Sequence, residues 1–294
     1  MKRKINKENI EEKKEGKVFV YGAVLLLLVI LLQVALFLFN LEHNLFSVHI
    51  IITLLLFVFT IWHATMKKGW KNALIFLFLS IIISFFAEFI GVNFGSVFGG
   101  AYSYSKMFGV TIGNVPVVVI LMWASIIYIS YMVSEHILNY RFAGKFKFWR
   151  RLELSFFSSI IAALATVAWD FMLDPIAVIN EWWIWNYGGV YFQNIAGGIP
   201  LSNFIGWMIV AFIVVFVFKL FFETKHAEKE TAYDFAPVLI YALLYISTAS
   251  LSFKTQQPIF ALIGFVTMGP FIIISLVRYL SVRYKLPHNY KDQV

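Results

Sequence analysis

Long apolar runs separated by short polar clusters dominate the chain. Runs near 18–39, 45–63, 72–92, 115–138, 153–172, 202–222, 235–252 and 259–281 are each roughly 20 residues long, the length a helix needs to cross a bilayer core. They predict an all-α, polytopic integral membrane protein of about eight transmembrane helices.

The polar clusters set the orientation. Of the 24 basic residues, 22 fall at alternate junctions: seven in the stretch 1–17, then Lys67, Lys68 and Lys71, then Arg141 to Arg151, then Lys219, Lys225 and Lys229, then Arg278 to Lys291. Only Lys106 and Lys254 fall at the others. Cytoplasmic loops carry the excess of Lys and Arg, so both termini are expected in the cytoplasm and the chain in the cell membrane as a multi-pass protein. Residues 1–17 read as a disordered basic tail, 18–281 as the transmembrane domain and 282–294 as a C-terminal tail. The first run is too long for a secretory h-region and lacks a small-residue cleavage site, so it is expected to stay as a helix.

Composition agrees and narrows the chemistry. The 294 residues are 61% hydrophobic, with a mean hydropathy of +0.80, and leave no room for a soluble catalytic module. The net charge of +8 follows from membrane orientation, so no nucleic-acid partner is expected. There is no cysteine, hence no disulfide framework or thiolate chemistry. No histidine pair has helical metal-site spacing, and no phosphate-cradling loop, dinucleotide fingerprint or serine elbow occurs. Neither metal nor cofactor is expected.

Two acids stand out against this background. Glu88 and Asp170 lie inside apolar runs, about one turn below the same end. A charge there costs about 2.5–3.5 kcal/mol on insertion scales, and intramembrane acids mark function by default. Asp174 is four residues beyond Asp170 and shares its face if the helix persists. As a pre-proline residue it is biased away from helix and is equally readable as a turn residue. Two close carboxyls in a low dielectric do not both ionise readily, and a retained proton suits a general acid. The alternative for each is a buried acid held by Trp, Asn or backbone donors for structural reasons. His49 lies at the same level and is readable either as a proton relay joined to these acids or, more simply, as a residue placed by packing or the lipid interface. Glu135, His136 and Glu153 sit at the basic end, where interfacial placement suffices.

Each acid is followed by a long loop rich in Gly, Trp, Tyr, Asn and Pro, spanning 88–116 and 169–207 in all. An aromatic interfacial belt is one reading of Trp182, Trp183 and Trp185; a pocket wall over an apolar substrate is the other. Gly91, Gly95 and Gly99 would form a small stripe for helix packing if the helix continued through them.

Four stretches together resemble a known family: Glu88 to Tyr104, Trp169-Asp170-x-x-x-Asp174-Pro175, Trp182 to Tyr191, and Gly198-Ile-Pro-x-x-Asn203-Phe-x-Gly-Trp207. They are similar to carotenoid biosynthesis membrane proteins, which include carotenoid 1,2-hydratases and the bisanhydrobacterioruberin hydratase of archaea. The resemblance implies a hydro-lyase that adds water across the terminal C1–C2 double bond of a linear carotenoid. It implies a polyene substrate drawn from the bilayer, water as co-substrate, no cofactor, and possible association with other carotenoid-pathway membrane enzymes. On that reading Asp170 is the first choice for the acid, Glu88 for the partner that positions or deprotonates water, and the reverse assignment stays open. Asn93, Tyr102, Tyr104, Asp174 and Asn203 become hydrogen-bonding candidates, with Trp169, Trp182, Trp185 and Trp207 as walls. The rival readings are a proton-coupled transporter or permease, whose mark would be internal repeats with broken helices, and a non-catalytic lipid-binding protein.

Overall fold

A computed structural model describes residues 21–22, 24–32, 35, 45–138, 148–186, 198–223 and 232–284. Residues 24–32 are helical. Six longer helices follow: α1 (Leu45–Phe94), α2 (Val117–Leu138), α3 (Phe148–Ile179), α4 (Leu201–Val217), α5 (Ala236–Lys254) and α6 (Ile259–Tyr284). Six helices among the described residues are long and apolar enough to span a membrane, and the all-α polytopic architecture follows.

The count differs from eight for two reasons. The first predicted span is described only in part, and the second and third are joined as α1. That helix breaks at Gly69, whose φ of 76° and ψ of 154° suit a residue without a Cβ. Its two arms, 45–68 and 70–94, double back on one another. His63 and Phe76, on opposite sides of the break, both pack on Tyr128 of α2. His49 and Glu88 near the far ends both reach the same pair of loops.

α2 occupies the centre and is buried along most of its length, with Trp123, Tyr128 and Tyr131 fully enclosed. α3 buries a row of small residues, including Ser155, Ser158, Ser159, Ala162 and Ala165, and meets α2 where the Ser158 and Ser134 hydroxyls bond at 3.0 Å. Small residues let helices approach closely where lipid supplies no hydrophobic drive between them. The hydroxyls of Ser159 and Thr166 donate to carbonyls one turn back, which satisfies part of this polar face. α4 continues into a π-helical turn, Phe218–Phe222.

α3 also decides between the two readings of Asp174. It runs straight through Pro175 to Ile179, so Asp174 is helical and not a turn residue. The missing Pro175 N–H forfeits one helical bond, which the tightly packed surroundings tolerate. The glycine stripe fails in the opposite sense. α1 stops at Phe94, and Gly95 and Gly99 adopt φ of 66° and 83° in the loop beyond.

The two long loops are tied together. Strand β1 (Tyr102–Tyr104) pairs antiparallel with β4 (Trp183–Trp185), with Tyr102 opposite Trp185 and Tyr104 opposite Trp183. Between them, β2 (Thr111–Ile112) and β3 (Val115–Pro116) form a separate hairpin. Side chains alternate along a strand, so Tyr102, Tyr104, Trp183 and Trp185 share one face, turned down onto the helices. The N-terminal tail 1–17, residues 285–294 of the C-terminal tail and Tyr187 to Tyr191 lie outside the described residues.

Candidate active site

The inward face of this small sheet closes over Glu88. Tyr102 and Tyr104 donate their hydroxyls to Oε2 at 2.5 and 2.7 Å, and the Trp123 indole donates to Oε1 at 2.7 Å. Glu88 is 2% exposed. An indole N–H can only donate, and three donors converging on one carboxyl form a set suited to a carboxylate. Gly91, one turn along, makes this possible. A Cβ there would stand 2.8 Å from the Tyr102 hydroxyl and 2.7 Å from the Phe98 ring. Burial, and then the neighbouring Glu88, push both tyrosines well above the usual phenol range, so they remain donors.

Asp170 and Asp174 form the second element. They are four residues apart on α3, 0% and 1% exposed, with their carboxyls within hydrogen-bonding reach of each other. Asn203, near the start of α4, spans the pair: its Nδ2 lies 3.3 Å from Asp170 Oδ2 and also donates to Asp174 Oδ2. Asp170 Oδ1 meets no N–H or O–H donor among the described residues. Ionised carboxylates only accept, so two of them in contact require a shared proton, as in carboxylate dyads.

Glu88 and Asp174 line one cavity of about 10 Å³, together with Asn203, Trp183, Trp185 and Trp207. That is the room one water molecule needs, and polar partners surround it. Beside it lies a second, apolar pocket of about 60 Å³, walled by Ile52 and Leu56 of α1, Trp169 and Leu173 of α3, Leu244 of α5, and Trp182 in the loop before β4. The two cavities have Val119, Met122 and Trp183 in common.

The family model for carotenoid biosynthesis proteins matches residues 45–270. The chain belongs to that family. The match includes both arms of α1 and every residue of the two cavities. No curated protein and no solved structure matches the chain.

In this carotenoid biosynthesis protein, most of the residues singled out in the sequence come together. Glu88, Asp174, Tyr102, Tyr104, Trp185, Asn203 and Trp207 surround the polar cavity. Asp170 stands one turn behind it, in contact with Asp174. Trp169 and Trp182 wall the apolar pocket, where Trp169 donates to Thr248 at 3.3 Å and Trp182 packs on His49.

Asn93 is not brought to the site. It bonds the carbonyls of Phe89 and Gly113 and accepts from Asn114, clasping the end of α1 to the β2–β3 hairpin. Trp123 and Met122 were missed. Both sit in an unbroken apolar run, where nothing distinguishes a lipid-facing residue from one facing a cavity. Among the described residues no cluster of His, Asp and Glu could hold a metal.

Proposed function

We propose that this carotenoid biosynthesis protein is a hydratase that adds water across the terminal C1–C2 double bond of a linear carotenoid. The observation that carries the reading is the contact between an apolar pocket and a water-sized polar cavity lined by two carboxyls. A long polyene needs the first; acid-catalysed hydration needs the second.

The steps follow from the groups present. Asp174 transfers its proton to C2, the π electrons form the new C–H bond, and C1 becomes a tertiary cation. The faces of Trp183, Trp185 and Trp207 and the nearby carboxylates stabilise that cation, as ring quadrupoles and fixed negative charge do in a dry site. Water in the cavity attacks C1, and its proton passes to Glu88. Return of the proton to Asp174 resets the pair, and the product is a tertiary alcohol. Asp170 shares the proton from behind, which keeps the dyad protonated before each turnover. General acid–base groups of this kind contribute about 10²–10⁴-fold each.

The test is expression in a host that accumulates lycopene or bisanhydrobacterioruberin, with pigments read by chromatography and mass. The expected product is heavier by one water and more polar. An unaltered pigment profile across several linear carotenoids overturns the reading.

A further inference from the structure

The apolar pocket and the polar cavity are adjacent but distinct, and the wall between them has three side chains: Val119, Met122 and Trp183. For an alkene lodged in the pocket to meet Asp174, that wall has to give. The three residues differ sharply in their freedom to do so.

Trp183 is fixed. It is 6% exposed, paired through β4 with Tyr104, packed against the rings of Tyr104, Phe108 and Trp182, and its side chain reaches Asp174. Val119 is 2% exposed on a central helix, and a β-branched side chain there has essentially one χ1 rotamer. Met122 is the exception. It is only partly buried, unbranched, and carries three rotatable bonds, the properties that let methionine adapt to changing contacts. It also precedes Trp123, whose indole holds Glu88, so the partition and the Glu88 anchor are consecutive on α2.

We propose that Met122 is a swinging partition between the two cavities: the end group of the polyene displaces its side chain to reach Asp174, and the side chain returns to separate alkene from water between turnovers. The inference rests on the hydratase reading and deepens it, naming the positioning residue that couples substrate binding to acid chemistry. A partition of this kind acts on turnover and not on binding. The polyene already occupies the apolar pocket before the wall opens.

The experiment uses the full-length protein purified in lipid nanodiscs, with lycopene as substrate. Turnover is measured by product formation, and pocket occupancy by the part of lycopene quenching of tryptophan emission that is lost when the pocket wall carries Trp182→Phe. In Met122→Phe, a bulky planar ring with fewer rotamers fills the partition. Quenching is expected at wild-type lycopene concentrations while kcat falls about tenfold or more, a split between binding and turnover that mutant kinetics resolve. In Met122→Ala the wall is already open, and kcat is expected to rise while the lycopene dependence of quenching stays put. Wild-type quenching in Met122→Phe also reports an intact fold. The partition is overturned if Met122→Phe turns over lycopene at the wild-type rate, or if both variants change quenching and turnover in parallel. A wild-type protein that binds lycopene without hydrating it is a separate outcome: it refutes the hydratase reading, and the partition with it.

Discussion

At the scale of single residues, the site divides its acids by the donors each one meets. Glu88 collects three, whereas among the described residues the Asp170–Asp174 pair meets the Asn203 amide and, at Asp174, the Trp183 side chain. On the proposed hydratase reading this division corresponds to opposite proton roles, and substitution tests it. Asp174→Asn and Glu88→Gln keep the shape and remove the titrating oxygen, so each is expected to lower turnover by about 10²-fold or more, with the protein still folded by size-exclusion profile. Asn203→Ala leaves both aspartates in place but unbridged; turnover is expected to fall about tenfold through lost alignment, measured as kcat on the same pigment. The tyrosines add a pH signature. Their hydroxyls are held well above the phenol range by burial and by Glu88, so the pH–rate profile is expected to show no loss from tyrosine ionisation up to about pH 10. A drop with an apparent pKa near that of free tyrosine would contradict the placement.

At the scale of elements, the decisive feature is the pairing of β1 with β4. Two loops separated by two helices in sequence become one ceiling, and strand alternation sends four aromatic side chains down while Ser103 and Ile184 face the other way. The ceiling also needs a flat floor, which Gly91 supplies. Gly91→Val keeps helical geometry but places methyl groups where the Tyr102 hydroxyl and the Phe98 ring now lie. Displacing Tyr102 removes a donor from Glu88 and shifts the ladder. Turnover is therefore expected to fall about 10²-fold, the order of loss that misplacement of about an ångström produces. Thermal unfolding should fall modestly as well, because overpacking a buried site costs about 1–3 kcal/mol.

At the scale of the molecule, the end opposite the site is closed by buried charge. Lys68 of α1 bonds Glu223 at 2.5 Å and Tyr131 at 2.7 Å, while Lys219, 0% exposed in its side chain, bonds Glu135 at 2.5 Å. Arg151 caps the carbonyls of Lys219 and Glu223, fixing the π-helical turn. Breaking a buried pair leaves an uncompensated charge, so Lys219→Met is expected to destabilise the protein by about 3–5 kcal/mol, read as a lowered unfolding temperature in detergent. Glu223 adds a pH dependence. Burial alone would raise its pKa, but Lys219 and Lys68, with hydrogen bonds from Lys68 and Tyr131, outweigh burial and lower it to about 2 from 4.5. A depressed acid stabilises the fold above its unfolded pKa and loses that contribution as pH falls through the folded value. The Glu223 contribution is thus complete above about pH 4.5 and lost between there and about pH 2. Glu223→Gln should flatten stability in that acid window alone.

Local chemistry settled much of this protein before any tertiary contact was known. Runs of apolar residues long enough to span lipid fixed the class, because unsatisfied backbone in a bilayer is too costly for other folds. The buried acids Glu88 and Asp170 were conspicuous for the same reason: a charge in an oily segment is an energetic anomaly that composition alone reveals. What sequence spacing left open was which neighbours each acid meets. Asp174 read equally as a turn, and only packing that carries α3 through Pro175 made it a helical partner of Asp170. Asn93 had the same residue chemistry as Asn203, yet the fold turned it outward to clasp a hairpin. Trp123 and Met122 carried no local signal, since the Glu88 carboxyl that Trp123 meets and the cavities that Met122 lines come together only once α1, α2, α3 and the paired loops are assembled. Hydropathy and charge act along the chain and can be read there, whereas donors, walls and cavities come from residues tens to more than a hundred positions apart.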